Sequence, residues 1–307
     1  MMWYGRKIVQ LLKEPRGTTL VLVAAALFML LGISALALDA GFLYWNKAQV
    51  QTAADAAALA GAQELRHSPE AAESEARAYA ALNGRATDNV TVDLTVANQI
   101  TVTVQRMVDL YFAHIFGVPQ WPVQATATAG LQPATGVAGV VPFGVAVNTG
   151  DLAFGTQVTL KYGSGGSYYG NFQALALGGT GASKYLDNIK QGYDGVIHIG
   201  DWVQTETGNM AGPTVSGVSY RVNADSGVSY TTVQEGSPRI IIVPILESFE
   251  VVGRTDVRVS GFAAFFLEAT GKQGNENYVI GRFLKIVTPG EGGTNPDWGV
   301  YTTKLIR

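Results

Sequence analysis

Residues 18–38 read TTLVLVAAALFMLLGISALAL, an uninterrupted run of 21 residues with no charged side chain. No other feature limits the fold as strongly. As a helix the run spans ~31 Å, the thickness of a bilayer's hydrocarbon core. Its flanks are asymmetric: Arg6, Lys7, Lys13 and Arg16 oppose Glu14 before it, and Asp39 follows it. Residues 1–17 therefore carry +3, and the overall charge of −3 hides a remainder of −6. Positive residues are retained on the cytoplasmic side, so the expected topology is a single pass, amino end in, with the rest outside. The run also explains part of the low charged fraction of 15%, against a usual ~25%.

Two cleavage alternatives stand beside a retained anchor. Ala35-Leu36-Ala37 fits the small-residue site of a secretory signal, although the apolar run exceeds the ~7–15 residues of a typical signal core. Gly17, followed by Thr18, occupies the position at which prepilin-type peptidases cut after a short basic leader. Five residues past that cut, where pilins carry glutamate, the chain has Leu22.

Residues 40–66 continue in a helical pattern. Phe42, Tyr44 and Trp45 fall where an aromatic belt meets the outer membrane interface. Val50, Ala53, Ala54, Ala57, Gly61 and Leu65 then recur at three- and four-residue spacing on one helix face. Side chains this small admit close approach of another backbone. The stripe either packs against copies or sibling subunits, or docks on the chain's own sheet.

Across Pro15 to Leu65 the order is a basic leader, glycine, a long apolar helix, LALDAG, LY and QTAADAAALAGA. That order resembles the amino-terminal segment of TadE/TadG-like proteins of Flp (tight adherence) pilus assembly. The resemblance implies a bitopic, pilin-like protein of a type IV-like pilus system. Its implied partners are the membrane and other pilin-like or pilus-assembly subunits, including copies of itself, and it implies no enzymatic activity.

Ser68-Pro69 starts a second helix that stops at Asn83-Gly84. Val90–Val96 and Ile100–Val104 alternate apolar and polar residues around Ala97-Asn98-Gln99, the pattern of a hairpin. A short apolar helix is expected over 109–117 and a strand over 123–129. This order resembles a pilin-like α/β head on a long helix. The expected organisation is a leader (1–17), a transmembrane helix (18–38), a helix and head (39–130), a Pro/Gly-rich linker (131–139) and a domain (140–307).

In that last domain strand patterns dominate: 140–147, 157–162, 196–199, 218–222, 239–246, 255–268 and 278–287. Only 182–191 reads as helix. Val257, Val259, Gly261, Ala263 and Phe265 share one alternating face, and Pro244 ends or bulges its strand. The fold class is α+β: a long amino-terminal helix with a small head, then a mostly-β sandwich or barrel. The segments PFGV, GNFQALALGG, GDWVQTETGNMAGP, RIIIVPIL and VSGFAAFFLE also resemble the carboxy-terminal half of longer TadG-like proteins. Many relatives carry a von Willebrand A metal site instead; Asp225-Ser226-Gly227-Val228-Ser229 has glycine where its first serine belongs.

Chemistry is sparse. Without cysteine there is no thiol nucleophile and no cysteine-held zinc, and the charge balance argues against nucleic acid. Gly178 to Lys184 lacks the Walker A order and reads as a turn. His67, His114 and His198 show no metal-ligand spacing. Asp187, Asp194 and Asp201 read as solvated turn residues rather than a calcium loop. Tyr162, Tyr168 and Tyr169 make an aromatic loop that packs as a turn or touches a surface. No catalytic residue, cofactor or metal is expected. The leading expectation is a non-catalytic pilus component; the alternatives are a surface-anchored adhesin and an envelope enzyme.

Overall fold

A computed structural model describes residues 15–147, 153–161, 173–248, 251, 253–273, 276–294 and 296–306; for 15–18, 271–273, 276 and 277 it describes the backbone alone. The basic residues before Pro15 and the tyrosines at 162, 168 and 169 lie outside the described residues. The chain divides into two compact units, 1–61 with 69–128, and 62–68 with 129–306.

The first unit is built on α1 (Pro15–Glu64), a single helix of 50 residues. Its residues from 19 to 33 are exposed, whereas Val50, Ala53, Ala54, Ala57 and Gly61 are buried. The helix α2 (Pro69–Asn83) buries Ala72, Ala76 and Ala80. Gly84 ends it, donating its amide to the Ala80 carbonyl at 2.8 Å. The strands β1 (Asn89–Asp93) and β2 (Gln99–Asp109) pair antiparallel, with Val92 opposite Val102. Asn98, in the turn between them, takes a left-handed φ of 59°, a conformation asparagine tolerates better than most residues. β2 turns Ile100, Val102, Val104, Arg106 and Val108 inward, and Leu110 directly after it is buried as well. β3 (Gln120–Val137) begins in this unit, with Val123, Ala125 and Ala127 buried. On its polar face Thr126 and Thr128 hydrogen-bond Thr103 and Thr101, both at 2.9 Å.

Two expectations for this stretch are corrected. Residues 109–117 are not a helix of their own: β2 runs through Asp109, and a 3-10 turn follows over Ala113–Phe116. Gly117, at φ 82°, then reverses the chain. Residues 131–139 are not a linker over most of their length, because β3 continues to Val137. Small residues suggested a flexible connection, yet Ala134 and Val137 are buried core positions of the second unit.

The second unit centres on a sheet in the order β4 (Val145–Ala146), β9 (Ile240–Leu246), β10 (Asp256–Gln273), β11 (Glu276–Leu284) and β5 (Gln157–Lys161). β6 (Leu175–Ala176) and β8 (Trp202–Thr205) extend it where β10 begins. Both sheet faces are buried. One, with Val243, Phe265 and Phe283, meets α3 (Ala182–Gln191) and α4 (Ala211–Ala224) through Tyr185, Ile189 and Val218. The other, with Phe262, Ala264 and Phe266, packs on Val137, Ile197 and Val300. These come from the end of β3, from β7 (Ile197–His198) and from β14 (Val300–Ile306). β12 (Ile286–Val287) pairs parallel with β14, and β13 (Glu291–Gly292) pairs with β3.

The α+β class with a mostly-β second part holds, and three details differ. Residues 218–222 are helical within α4, whose buried Thr214, Gly217, Val218 and Arg221 follow the i, i+3, i+4, i+7 rule. Residues 257–265 do not share one face. A bulge between Val259 and Gly261 inserts one residue against β9, so Val257 and Val259 join one core while Ala263 and Phe265 join the other. Pro244 neither ends nor bulges β9, since it pairs in register with Phe262. Ile242 and Leu246, of the same parity, accept amides from Val141 and Val147 on the β4 side. Proline's missing donor thus faces the short edge ladder.

Candidate membrane and packing surfaces

The amino-terminal half of α1 presents apolar side chains to the outside all round: Leu20, Phe28, Leu31, Ile33, Leu36 and Leu38 are each more than 60% exposed. A helix apolar on every side and exposed from residue 19 to residue 34 needs an apolar surround. Among the described residues, α1 is long and apolar enough to cross a membrane.

Asp39 stands where this surface stops. It is 3% exposed, and its carboxylate accepts the backbone amides of Tyr111 (2.9 Å), Phe112 (3.0 Å) and Ala113 (2.7 Å). The acid therefore anchors the segment after β2 onto the helix, an anion held in a nest of successive N–H groups. One turn on, Phe42 stacks with Trp45 at 5.8 Å and meets Tyr111 at 5.4 Å. Tyr111, Ile115 and Phe116 remain exposed.

Beyond the aromatics one face of the helix is buried by its own unit. A Cβ on Gly61 would lie 2.5 Å from Ile100 Cδ1, 2.9 Å from the Ala72 carbonyl oxygen and 3.0 Å from Ala76 Cβ. Of the two readings of the small-residue stripe, docking within the chain describes Val50, Ala53, Ala54, Ala57 and Gly61; Leu65 is half-buried, in the second unit. Arg106 completes this core. Its guanidinium makes two bonds of 2.7 Å to Asp88 and reaches Asn46 and Gln49 on α1 at 3.1 and 2.8 Å. Burial alone would raise the Asp88 carboxyl, but the bonds from Arg106 and from the Arg85 amide outweigh it and hold it below the usual carboxylate value.

Residues 17–64, which lie within this one helix, match the family model Tad, described as Flp pilus-assembly TadE/G-like. The amino-terminal segment is TadE/G-like. No curated protein and no solved structure matches the chain. The TadE/G-like segment takes in the exposed apolar half, Asp39 and the small-residue stripe, and it supports a pilus-related role at a membrane. Gly17 and Thr18 lie in the first turns of α1. The likeness drawn for residues 140–307 lies outside the matched segment.

The remaining candidates are dispersed. His67 contacts Glu64 at 2.8 Å, His114 is exposed in the 3-10 turn, and His198 lies 3.5 Å from Asp201 and 3.7 Å from Glu291. Among the described residues no three histidine or acidic side chains gather as a metal would require. Asp187, Asp194 and Asp201 are exposed; Asp201 caps its own turn, accepting the His198 amide at 2.8 Å. At the glycine loop before α3 the buried Glu206 accepts the Gly181 amide and pairs with Arg254 at 3.1 Å. A carboxylate thus fills the place a phosphate would need. Asp225 caps α4 and accepts the Ser237 hydroxyl. Sequence reasoning missed Asp39, Asp88 and Arg106 as structural centres. The only signal was an acid directly after 21 uncharged residues.

Proposed function

We propose that the chain is a non-catalytic, membrane-anchored component of a Tad/Flp-type pilus assembly, single-pass with its amino end in the cytoplasm and its second unit outside the membrane. The observation that carries this reading is the match of residues 17–64 on one helix whose first half is exposed and apolar and whose second half buries one face. The buried charges of both units support a structural role, since each is committed to backbone or to another side chain. Subunit contacts in the assembly use the exposed surface of residues 19–38 rather than the small-residue stripe, which the first unit already covers. Unbroken helix through Ala37 and Asp39 favours retention of the anchor over a signal cut there, where extended chain is the better substrate.

The test is association. The chain co-purifies with sheared filaments or with assembly proteins extracted from the membrane; its consistent absence from both overturns the proposal. Mass spectrometry of the mature amino terminus separates the processing routes. A start at Met1 or Met2 marks a retained anchor, Thr18 a pilin-like subunit, and Leu38 or Asp39 a released protein.

A further inference from the structure

Asp39 does more than end the apolar run, because the segment it holds is itself apolar. Tyr111, Phe112, Ile115 and Phe116 are 68%, 37%, 80% and 85% exposed, a concentration of large apolar surface on six consecutive residues. Their turn lies against the helix on the amino-terminal side of Asp39. A groove of about 560 Å³ separates the two, walled by Phe28, Leu31 and Leu36 from α1 and by Phe112, Ile115 and Phe116 from the turn. Leu31 is two turns before Asp39, ~12 Å along the axis, so the groove extends well inside the uncharged run.

We propose that residues 111–116 are a second membrane-inserted element, seated in the outer leaflet beside the span, with phospholipid acyl chains filling the groove. The inference rests on the anchor reading above: if α1 crosses a bilayer over 18–38, one groove wall is in hydrocarbon, and the opposite wall is at the same depth. Irregular backbone at that depth must satisfy its own polar groups. Here the amides of Tyr111, Phe112 and Ala113 bond the Asp39 carboxylate. Leu110 donates to the Pro119 carbonyl, Ile115 to Phe112, Gly117 to His114 and Val118 to Ala113, at 2.8–3.2 Å. Tyr111 and His114 carry the polar tips of the turn, which places it near the headgroup boundary with the aromatics of 42–45 rather than at the midplane. A second copy of the chain on this groove is the competing occupant.

Because the chain has no cysteine, single nitroxide labels report each position. The full chain carrying I115C, F116C, L36C or V96C is reconstituted in phosphatidylethanolamine–phosphatidylglycerol vesicles, and collision with oxygen is compared with collision with a water-soluble nickel chelate. The oxygen-to-nickel ratio at 115 and 116 is expected to match that at 36 and to exceed severalfold that at 96, an exposed site near the β1–β2 turn. Nickel access at 115 and 116 with oxygen access at 36 overturns the inserted turn and leaves the anchor standing. Nickel access at 36 overturns the anchor and the inference together. Shielding of 115 and 116 from both reagents, with 36 open to oxygen, shows protein on the groove and overturns the lipid contact alone.

Discussion

Asp39, Asp88 and Lys161 show how single buried groups organise this molecule. Asp39 satisfies three consecutive amides, and a donor left unpaired in an apolar setting is costly. Asp39→Ala should leave the helix intact while speeding amide hydrogen exchange severalfold at Tyr111, Phe112 and Ala113; unchanged protection there would show that other contacts hold the turn. Asp88 and Arg106 are 1% and 2% exposed at the side chain. Removing one partner strands the other, so Asp88→Ala should destabilise the first unit by about 3 kcal/mol, and the D88A/R106L double variant by less than the two single losses combined. Because the Asp88 carboxyl is held down in the folded state, its contribution is complete above the ordinary value and is lost as acid carries the pH through the lowered one. Lys161 is lowered too, but by burial, which penalises its charged form. Burial pushes its amine from 10.5 down to about 8, where it still donates to the Asn209 carbonyl at 2.7 Å. Between these values the unfolded chain binds more protons, so stability rises with pH, by up to roughly 3 kcal/mol. Thermal melts of K161M should lose that rise between pH 8 and 10.5 and start from a higher midpoint at neutral pH.

Elements meet here through glycines and bulges as much as through large side chains. Gly61 lets α1 approach the backbone of α2 and the Ile100 side chain of β2, and Gly217 lets α4 close on α3, where a Cβ would come 2.5 Å from the Ile189 side chain. Alanine is the better helix former by ~1 kcal/mol, yet Gly61→Ala should be net destabilising by about 1–3 kcal/mol, because its nearest neighbours include the fixed Ala72 carbonyl. Denaturation with a probe in the first unit measures it; a stabilised variant would mean that α2 can move aside. The β10 bulge lets residues of one parity serve both cores, Val257 and Val259 one and Ala263 and Phe265 the other, which the strict alternation read from the sequence does not allow. Deleting Ser260 removes the extra residue and leaves Val257 and Val259 on the face opposite Ala263 and Phe265, so the second unit should still unfold cooperatively on thermal denaturation; loss of the cooperative transition would show that the bulge itself is required.

At the scale of the whole chain, the proposed topology rests on a charge asymmetry outside the described residues and a bare helix inside them. It is tested with an impermeant thiol reagent on spheroplasts. E235C, at an exposed position of the second unit, should label in intact spheroplasts, and M2C only after permeabilisation. The reverse pattern would invert the orientation, and labelling of both would indicate release from the membrane. The 15% charged fraction then has a structural origin: much of the surface of α1 meets an apolar surround rather than water.

The long helix, the second helix with its Asn83-Gly84 stop, the hairpin and most strand positions were legible from the sequence, because each is set by local periodicity and by turn or cap chemistry within a few residues. The apolar half of α1 was legible for the same reason, since an uncharged run of this length has few alternatives. What the small-residue stripe touches was not legible. Spacing identifies a face, and only the positions of Ile100, Ala72 and Ala76 show that the chain's own first unit covers most of it. The helical state of 211–224, the strand through 131–137 and the double-faced β10 were decided by packing, which overrides propensity where both sides of an element are buried. The role of Asp39 belongs wholly to the tertiary structure, because it joins amides more than seventy residues away that no local pattern connects.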